Sequence, residues 1–412
     1  MAQQHGAEVE LDVTNIAHGG VSVARLEGRV VFVADAIPGE RVRARLADTR
    51  RAAFWRADTV AVLEPSPHRR PQVWDAAALE RDPAERAGGA EFGHIELGHQ
   101  RELKRRVLSD ALARFAGIEA DVAVEAVPAE SPDGTGWRTR VRLHVDAAGR
   151  LGPVAARSHR VVPVASLPLA TAGIRAAAPL GERFPGERRV DLVAPSTGGV
   201  RLVVGRQRPG PIVERVGERE FRLADTGFWQ VHRGAAALLT AAVQQAIGTG
   251  GFAPDAANLD LYGGVGLFAA AVAERFGSDT RITSVEADAG ATGFAAANLA
   301  EWPGARAETG RVEHWIARLA AGADARERSR LAAGTVVLDP PRAGAGRDVV
   351  RRLAGLAPAR IVYVACDPVA LARDLGEFAR LGYRAQRIRA FDLFPNTHHL
   401  ETVVALVPDM AD

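Results

Sequence analysis

The run NLDLYGGVGLFAAAVAERF, residues 258–276, carries the clearest architectural signal in the chain. Its apolar first part, residues 258–262, predicts a buried strand, and the alanine-rich part from 267 to 276 predicts a helix. The glycines between them predict a tight turn that lets a ligand approach the backbone in front of a helix N-terminus. From about residue 226 onward, apolar strands alternate with alanine-rich helices, which is typical of βαβ units around a parallel sheet.

Two further regions precede this segment. Residues 1–64 alternate like short strands between glycine turns, which predicts a small β-barrel of a kind that often binds single-stranded nucleic acid. The next region has a helical pattern over about 99–115 and hairpin-like alternation over 137–164, which predicts an α+β domain. We therefore expect an α/β protein of three domains, 1–64, 65–225 and 226–412, the last of them Rossmann-like.

Composition narrows the class of protein. The chain has 412 residues, 47% of them hydrophobic, which is ample for several cores. Its single cysteine excludes intramolecular disulfides and multi-cysteine metal sites. The N-terminus lacks an export pattern and no apolar run approaches the ~20 residues that span a bilayer. We expect a cytoplasmic protein without membrane contact.

The charge distribution indicates a polyanionic partner. The net charge is only +2, and Lys104, expected on a polar face of its helix, is the sole lysine among 52 basic residues. Residues 134–190 nevertheless hold ten arginines against three acids, a local net charge of +7. Such a segment predicts a surface that binds a polyanion, although an arginine-rich solvated surface remains an alternative. The ten are Arg138, Arg140, Arg142, Arg150, Arg157, Arg160, Arg175, Arg183, Arg188 and Arg189.

Candidate chemical groups follow the predicted strands. Cys366 stands where the apolar strand 361–365 ends, although a lone cysteine is often a small core residue. Asp339 also follows a strand, and the two prolines after it force an extended exit. Glu286 lies 22 residues beyond Gly264, a distance at which an acid can hydrogen-bond ribose hydroxyls. The strand ends therefore predict a ligand site at one edge of the sheet.

A pair of histidines precedes the last apolar strand. His398 and His399 alternate faces on an extended chain, and the sequence shows no third ligand for them. We therefore expect no metal site there.

In their order along the chain, these motifs resemble those of the class I S-adenosylmethionine-dependent RNA uracil-5-methyltransferases, and the N-terminal barrel resembles their TRAM domain. The resemblance covers essentially the whole chain. The matching elements are Gly88-Gly-Ala-Glu-Phe-Gly-His94, Glu102-Leu-Lys104, Trp137-Arg-Thr-Arg-Val-Arg142, Gly227-Phe-Trp-Gln230, Asp260-Leu-Tyr-Gly-Gly-Val-Gly266, Glu286, Asp339-Pro-Pro-Arg342, Ala365-Cys-Asp-Pro368, Leu371-Ala-Arg-Asp374 and His399-Leu-Glu401.

The resemblance implies methyl transfer from S-adenosylmethionine to C5 of a uridine in tRNA or ribosomal RNA. It assigns Cys366 as the nucleophile that adds to C6 and Glu401 as the base that removes the C5 proton. The arginines nearest the matching middle motif, Arg138, Arg140 and Arg142, are expected to bind RNA. The residues expected to bind the methyl donor are Gln230, Tyr262, Gly264, Gly266, Glu286 and Asp339.

Departures from the family pattern limit what is carried over. Many relatives hold an iron–sulfur cluster around Cys-Gly-Gly-Cys, and here the run is Ala87-Gly-Gly-Ala90, so we expect no cluster. Gly263 stands where many relatives have a cysteine, and Leu267 where many have an asparagine. Asp367 stands where asparagine is commoner, and the negative charge of Asp367 would raise the pKa of the Cys366 thiol. Two alternatives stay open: an RNA cytosine-5 methyltransferase, and a non-catalytic RNA-binding protein with a degenerate site. We expect a monomer.

Overall fold

The computed structural model describes residues 5–156, 158–248 and 250–409, so Arg157 lies outside the described residues. The N-terminal region is a closed five-stranded barrel in the order β1-β2-β3-β5-β4, in which β4 pairs back with β1. Inward-facing Leu11, Val31 and Val42 are almost completely buried in its core. The predicted barrel is thereby confirmed. Its strands are β1 (Glu8–Ala17), β2 (Val21–Leu26), β3 (Arg29–Ala34), β4 (Arg41–Asp48) and β5 (Phe54–Glu64).

The middle region combines one long helix with short strands. Helix α1 begins two residues before the predicted start and continues as a single π-helical turn over Leu112–Ala116. One sheet has the order β10-β9-β7-β8, and β11 and β12 form a separate hairpin. The elements are α1 (Leu97–Ala111), β6 (Val124–Glu125), β7 (Arg140–Val145), β8 (Leu151–Gly152), α2 (Ala172–Ala177), β9 (Arg189–Val193), β10 (Arg201–Val204), β11 (Pro211–Val216) and β12 (Arg219–Ala224), with 3-10 turns at Asp75–Ala77 and Pro83–Glu85.

Ala87 and Ala90 face the apolar core of this region. Both are buried, at 5% and 1% exposure, and they cluster with Trp74, Trp137 and Leu167. Small apolar side chains therefore pack where the resembling family often places cluster ligands.

The C-terminal region is built on an eight-stranded sheet in the order β15-β14-β13-β16-β17-β19-β18-β6. All its strand pairs are parallel except those that β19 makes with β17 and β18. The elements are α3 (Ala235–Ile247), β13 (Asn258–Leu261), α4 (Leu267–Phe276), β14 (Ile282–Glu286), α5 (Ala289–Asn298), β15 (Ala305–Thr309), α6 (Val312–Gly322), α7 (Ala325–Ala332), β16 (Thr335–Leu338), α8 (Arg347–Gly355), β17 (Arg360–Ala365), α9 (Pro368–Arg380), β18 (Tyr383–Phe391) and β19 (Glu401–Pro408).

Helices cover both faces of this sheet, which explains why its central strands β16 and β17 are almost continuous apolar runs. One core contains Leu239 of α3 and Phe268 of α4, and the other contains Ile316 of α6, Val350 of α8 and Leu371 of α9. The strand order reverses between β13 and β16, and ligands of open α/β sheets bind at such a reversal. None of the helices in the described part of the chain has the length and apolar character that crossing a membrane requires.

Candidate active site

The glycine turn after β13 leaves open space at the reversal point. Gly264 and Gly266 have φ of +55° and +88°, a region that favours glycine, and nothing lies within 4 Å of where a Gly264 side chain would begin. The Gly264 amide donates to a Glu286 carboxylate oxygen at 3.1 Å. The turn and the acid at the end of β14 are therefore held together as one wall of the site.

Gly263 is required for a different reason. A Cβ at this position would lie 2.0 Å from the Ser284 hydroxyl oxygen and 2.6 Å from an Asp260 carboxylate oxygen. The serine and the buried acid fill the space in which many relatives place a cysteine.

Two carboxyl groups lie beneath the turn. Asp260 is fully buried, and its Oδ2 accepts hydrogen bonds from the Ala269 amide and the Ser284 hydroxyl, at 3.2 and 3.0 Å. Its Oδ1 is buried without a hydrogen-bond partner among the described residues. Burial raises the pKa of Asp260 to about 6, and burial together with the Asp260 carboxyl raises the pKa of Asp339 to about 7. A positively charged ligand group would favour ionisation of both.

Cys366 directly follows β17, and Glu401 begins the neighbouring strand β19. The antiparallel ladder of β17 and β19 pairs Ala365 with Thr402, so the next opposed positions are 366 and 401. Burial, and then the Glu401 and Asp339 carboxyls, raise the pKa of the Cys366 thiol to about 12. Burial also raises the pKa of Glu401 well above its usual range. Both shifts favour the protonated forms, so the Cys366 thiol keeps its proton at neutral pH.

Arg342 is the cation that opposes these shifts. Its guanidinium lowers the pKa values of both Cys366 and Glu401. It also lies 3.5 Å from His399 Nε2, and burial lowers the pKa of His399 to about 3. Among the described residues, no group of three or more His, Cys, Asp or Glu side chains is arranged to hold a metal ion.

The loop between β18 and β19, residues 392–400, is fixed from the middle region. Lys104 of α1 is fully buried, and its ammonium donates to Asp392 at 2.5 Å and to the Phe394 carbonyl at 3.1 Å. This corrects the expectation that Lys104 faces solvent. Asn396 has a φ of +66°, its backbone amide donates to Gln100 Oε1, and its Oδ1 accepts a hydrogen bond from Gln100 Nε2. Helix α1 thereby sets the position of His398, His399 and the start of β19.

The three arginines singled out for RNA have different environments. Arg140 is turned inward, where it donates to the Gly227 carbonyl at 2.7 Å and lies 3.5 Å from Glu214. Arg142 is half exposed and paired with Asp191 at 2.7 Å. Arg138 donates to the Arg140 carbonyl and lines a cavity of about 160 Å³, with no carboxylate in hydrogen-bond contact among the described residues. Of the three, Arg138 is the one without a carboxylate hydrogen-bond partner among the described residues, and its largely buried guanidinium lies 5.8 Å from the Trp137 ring.

The remaining predicted donor-site residues are Gln230 and Tyr262. Gln230 is half buried beside buried Trp229, which packs on Phe221 at 5.4 Å, and the aromatic ring of Phe228 is 73% exposed. Tyr262 is half buried with φ +63°, and burial raises the pKa of its hydroxyl.

Comparison with known proteins identifies the family. Residues 251–408 match the family model described as tRNA (Uracil-5-)-methyltransferase, and residues 2–58 match the TRAM domain. An uncharacterized RNA methyltransferase of Streptomyces coelicolor is 40% identical over 98% of this chain and 93% of its own length. The chain belongs to this methyltransferase family. Another uncharacterized RNA methyltransferase, from Corynebacterium diphtheriae, is 32% identical over 97% of this chain and 96% of its own length.

A solved structure shares the whole architecture. The Pyrococcus abyssi tRNA (uracil-54, C5)-methyltransferase in complex with S-adenosyl-L-homocysteine superposes with a TM-score of 0.70 at 22% identity, covering 96% of this chain and 99% of that one. The likeness shows that the present chain has a methyltransferase fold, which follows an N-terminal TRAM barrel in the sequence.

The sheet order brings the predicted residues together. Glu286, Tyr262, Asp339, Cys366 and Glu401 lie at the ends of five successive strands, β14, β13, β16, β17 and β19. Sequence reasoning missed two neighbours of the site. The sequence offered a signal for Lys104, because it is the only lysine beside 51 arginines. The sequence offered no signal for His18, which contacts Asp367 at 2.8 Å, because the two residues are 349 positions apart.

Proposed function

We propose that this RNA methyltransferase transfers the methyl group of S-adenosylmethionine to C5 of a uridine in structured RNA, either tRNA or ribosomal RNA, through a covalent adduct of Cys366 with C6. The observation that carries the proposal is that the β17–β19 ladder ends with the pair Ala365–Thr402, so that Cys366, just after β17, and Glu401, the first residue of β19, are neighbours. A nucleophile and a base on adjacent strands can act on neighbouring atoms of one flat ring.

The residues at the strand reversal fit the methyl donor. The open space before Gly264 admits a ligand close to the backbone at the start of α4, and the Glu286 carboxylate is fixed beside it for ribose hydroxyls. Gln230 and Tyr262 would hold the methionine and adenosine portions, and Asp339 would face the sulfonium. When bound, the donor supplies an electrophilic methyl carbon on a positively charged sulfur.

Cys366 supplies the nucleophile that makes C5 reactive. Its thiolate adds to C6 of the uracil, and the displaced electron pair moves onto C5 and O4 as an enolate. The thiol pKa of about 12 must fall for this step, and Arg342 is the neighbouring cation that favours the thiolate. C5 then forms a bond to the methyl carbon as the bond from that carbon to the donor sulfur breaks, which leaves S-adenosylhomocysteine, and C5 keeps its original proton.

Glu401 completes the reaction by removing that proton. When the C5 proton moves to a Glu401 oxygen, the electron pair re-forms the C5–C6 double bond and expels the Cys366 thiolate. Glu401 must be ionised to accept this proton, and the Arg342 guanidinium, which lowers the pKa of Glu401 against the effect of burial, favours the ionised form.

The target uridine must leave its stack to reach these groups, so a looped or readily flipped base is expected. Arg138 and Arg142 are proposed to bind RNA phosphates on the middle region. Arg140 is proposed to support the same surface by holding the Gly227 carbonyl.

Incubation with labelled S-adenosylmethionine and total unmodified RNA, followed by nucleoside mass spectrometry and mapping, tests the proposal. We expect 5-methyluridine at one or a few positions. We also expect Cys366→Ala to lose methyl transfer by about a thousandfold or more while still binding RNA. Labelled 5-methylcytidine would indicate the cytosine alternative, and full activity of Cys366→Ala would contradict the covalent mechanism.

A further inference from the structure

The turn between β1 and β2 of the barrel lies against the catalytic strand end. His18 in this turn places Nε2 2.8 Å from an Asp367 carboxylate oxygen. Gly20, at φ +74°, approaches His398 so closely that an added Cβ would lie 2.6 Å from the histidine Cβ. Residues 17–20 and 366–368 together line a cavity of only about 20 Å³. The barrel therefore reaches the nucleophile's own loop.

Asp367 divides its two carboxylate oxygens between two partners. Oδ1 accepts hydrogen bonds from the Val369 and Ala370 amides, at 3.0 and 2.8 Å, and thereby caps α9. Oδ2 remains for His18. An ionised carboxylate only accepts hydrogen bonds, so the His18 Nε2 atom must carry the hydrogen. The capping hydrogen bonds fix the position of the negatively charged Asp367 carboxylate, and the hydrogen bond from His18 offsets part of that charge.

We propose that His18 is a positioning residue of the methyl-transfer reaction: from the N-terminal barrel, it holds and partly neutralises Asp367 and so makes the neighbouring Cys366 more reactive. This inference rests on the proposed nucleophilic role of Cys366. Asp367 adjoins Cys366 in the chain, and its charge opposes thiolate formation. A hydrogen bond that draws this charge toward His18 acts in the opposite direction.

Other charged groups also face Cys366 and must be held constant in any test. Glu401 comes from β19, and Asp339 and Arg342 come from the segment after β16. Lys104 of α1, His398 and His399 line the same small cavity, and His398 lies 3.7 Å from Glu91. None of them contacts the Asp367 carboxylate within hydrogen-bond distance among the described residues, whereas His18 does.

Alkylation of the protein by iodoacetamide reads this effect directly, because Cys366 is the only cysteine in the chain. The rate is measured from pH 6 to 10 in four variants: His18→Ala, His18→Gln, Asp367→Asn and His18→Ala with Asp367→Asn. We expect His18→Ala to slow alkylation at a given pH by about threefold, which corresponds to a thiol pKa higher by about half a unit. His18→Gln retains an N–H donor and should restore most of the rate. Asp367→Asn keeps the helix cap without the charge and should speed alkylation.

The double variant decides between a charge effect and a loss of structure. If His18 acts through the Asp367 charge, His18→Ala should change nothing further in the Asp367→Asn background. His5→Ala, an exposed histidine before the opposite end of β1, is the matched control and should behave as wild type. An unchanged pH profile in His18→Ala, or an equal effect in the Asp367→Asn background, would overturn the proposal. Methyl transfer by Cys366→Ala is measured separately, because activity retained by that variant would refute the proposed function without altering the alkylation results of the four His18 and Asp367 variants.

Discussion

Among the residues of the site, Asp339 is the one whose ionisation should most directly affect the affinity for the methyl donor. Its pKa of about 7 exceeds the ordinary value because of burial and the nearby Asp260. A sulfonium favours the ionised form, so binding should release a proton below pH 7. The affinity for S-adenosylmethionine should therefore rise about tenfold between pH 6 and 8 and level off above. Calorimetric titration across this range measures it.

S-adenosylhomocysteine is the natural control for that titration, because its sulfur is uncharged. Its affinity should vary much less with pH, and Asp339→Asn should flatten the profile of S-adenosylmethionine. Equal pH dependence for both ligands would show that Asp339 does not face the sulfonium.

Glu401 should act after methyl transfer. Because neither attack nor methylation removes the C5 proton, Glu401→Gln should methylate the RNA once and remain covalently attached to it. The expected result is a protein–RNA band that survives denaturing electrophoresis and requires both the methyl donor and Cys366. Glu377→Gln is a matched control, since Glu377 of α9 is also buried but pairs with Arg351 of α8 and Arg380 of α9. A folded Glu401→Gln enzyme with ordinary turnover and no adduct would remove Glu401 from the mechanism.

Helix α1 and the loop before β19 form one structural unit through Lys104. Removing the ammonium leaves the Asp392 carboxylate buried without its closest cation, which should destabilise the protein by about 3–5 kcal/mol. We expect this loss in the free energy of unfolding of Lys104→Met, measured by urea denaturation. Lys104→Met combined with Asp392→Leu should recover most of it, because neither charge then remains buried. A Lys104→Met variant as stable as wild type would show that Arg101, 3.3 Å from Asp392, compensates alone.

The elements themselves were largely predictable from the sequence, whereas their contacts were not. The helix expected over 267–276 has those bounds, and the strand expected over 361–365 begins one residue earlier. Glycine turns and apolar runs act locally, so their consequences are visible in a few residues. The burial of Lys104 and the inward turn of Arg140 depend on partners 288 and 87 residues away, Asp392 and the Gly227 carbonyl. The pattern of residues within a short stretch of sequence carries no information about partners so far away in the chain.

Across the whole molecule, RNA binding should depend on the middle region more than on the methyl-donor site. Arg138→Gln should weaken RNA binding and reduce the slope of log affinity against log salt by about 1, with donor affinity unchanged. Filter binding at several salt concentrations measures both quantities. Arg140→Gln is the comparison, because its internal contacts predict lower thermal stability before any direct effect on RNA. An unchanged salt slope in Arg138→Gln would exclude a phosphate contact.

The burial of Lys104 also determines which covalent modifications the folded protein can undergo. Since the chain has no other lysine and this one has no exposed surface on its side chain, acetyltransferases, ubiquitin ligases and amine-reactive dyes find no lysine side chain to modify. Acylation of Lys104 therefore reports on opening of the contact between α1 and the loop before β19, and its rate measures how often that opening occurs.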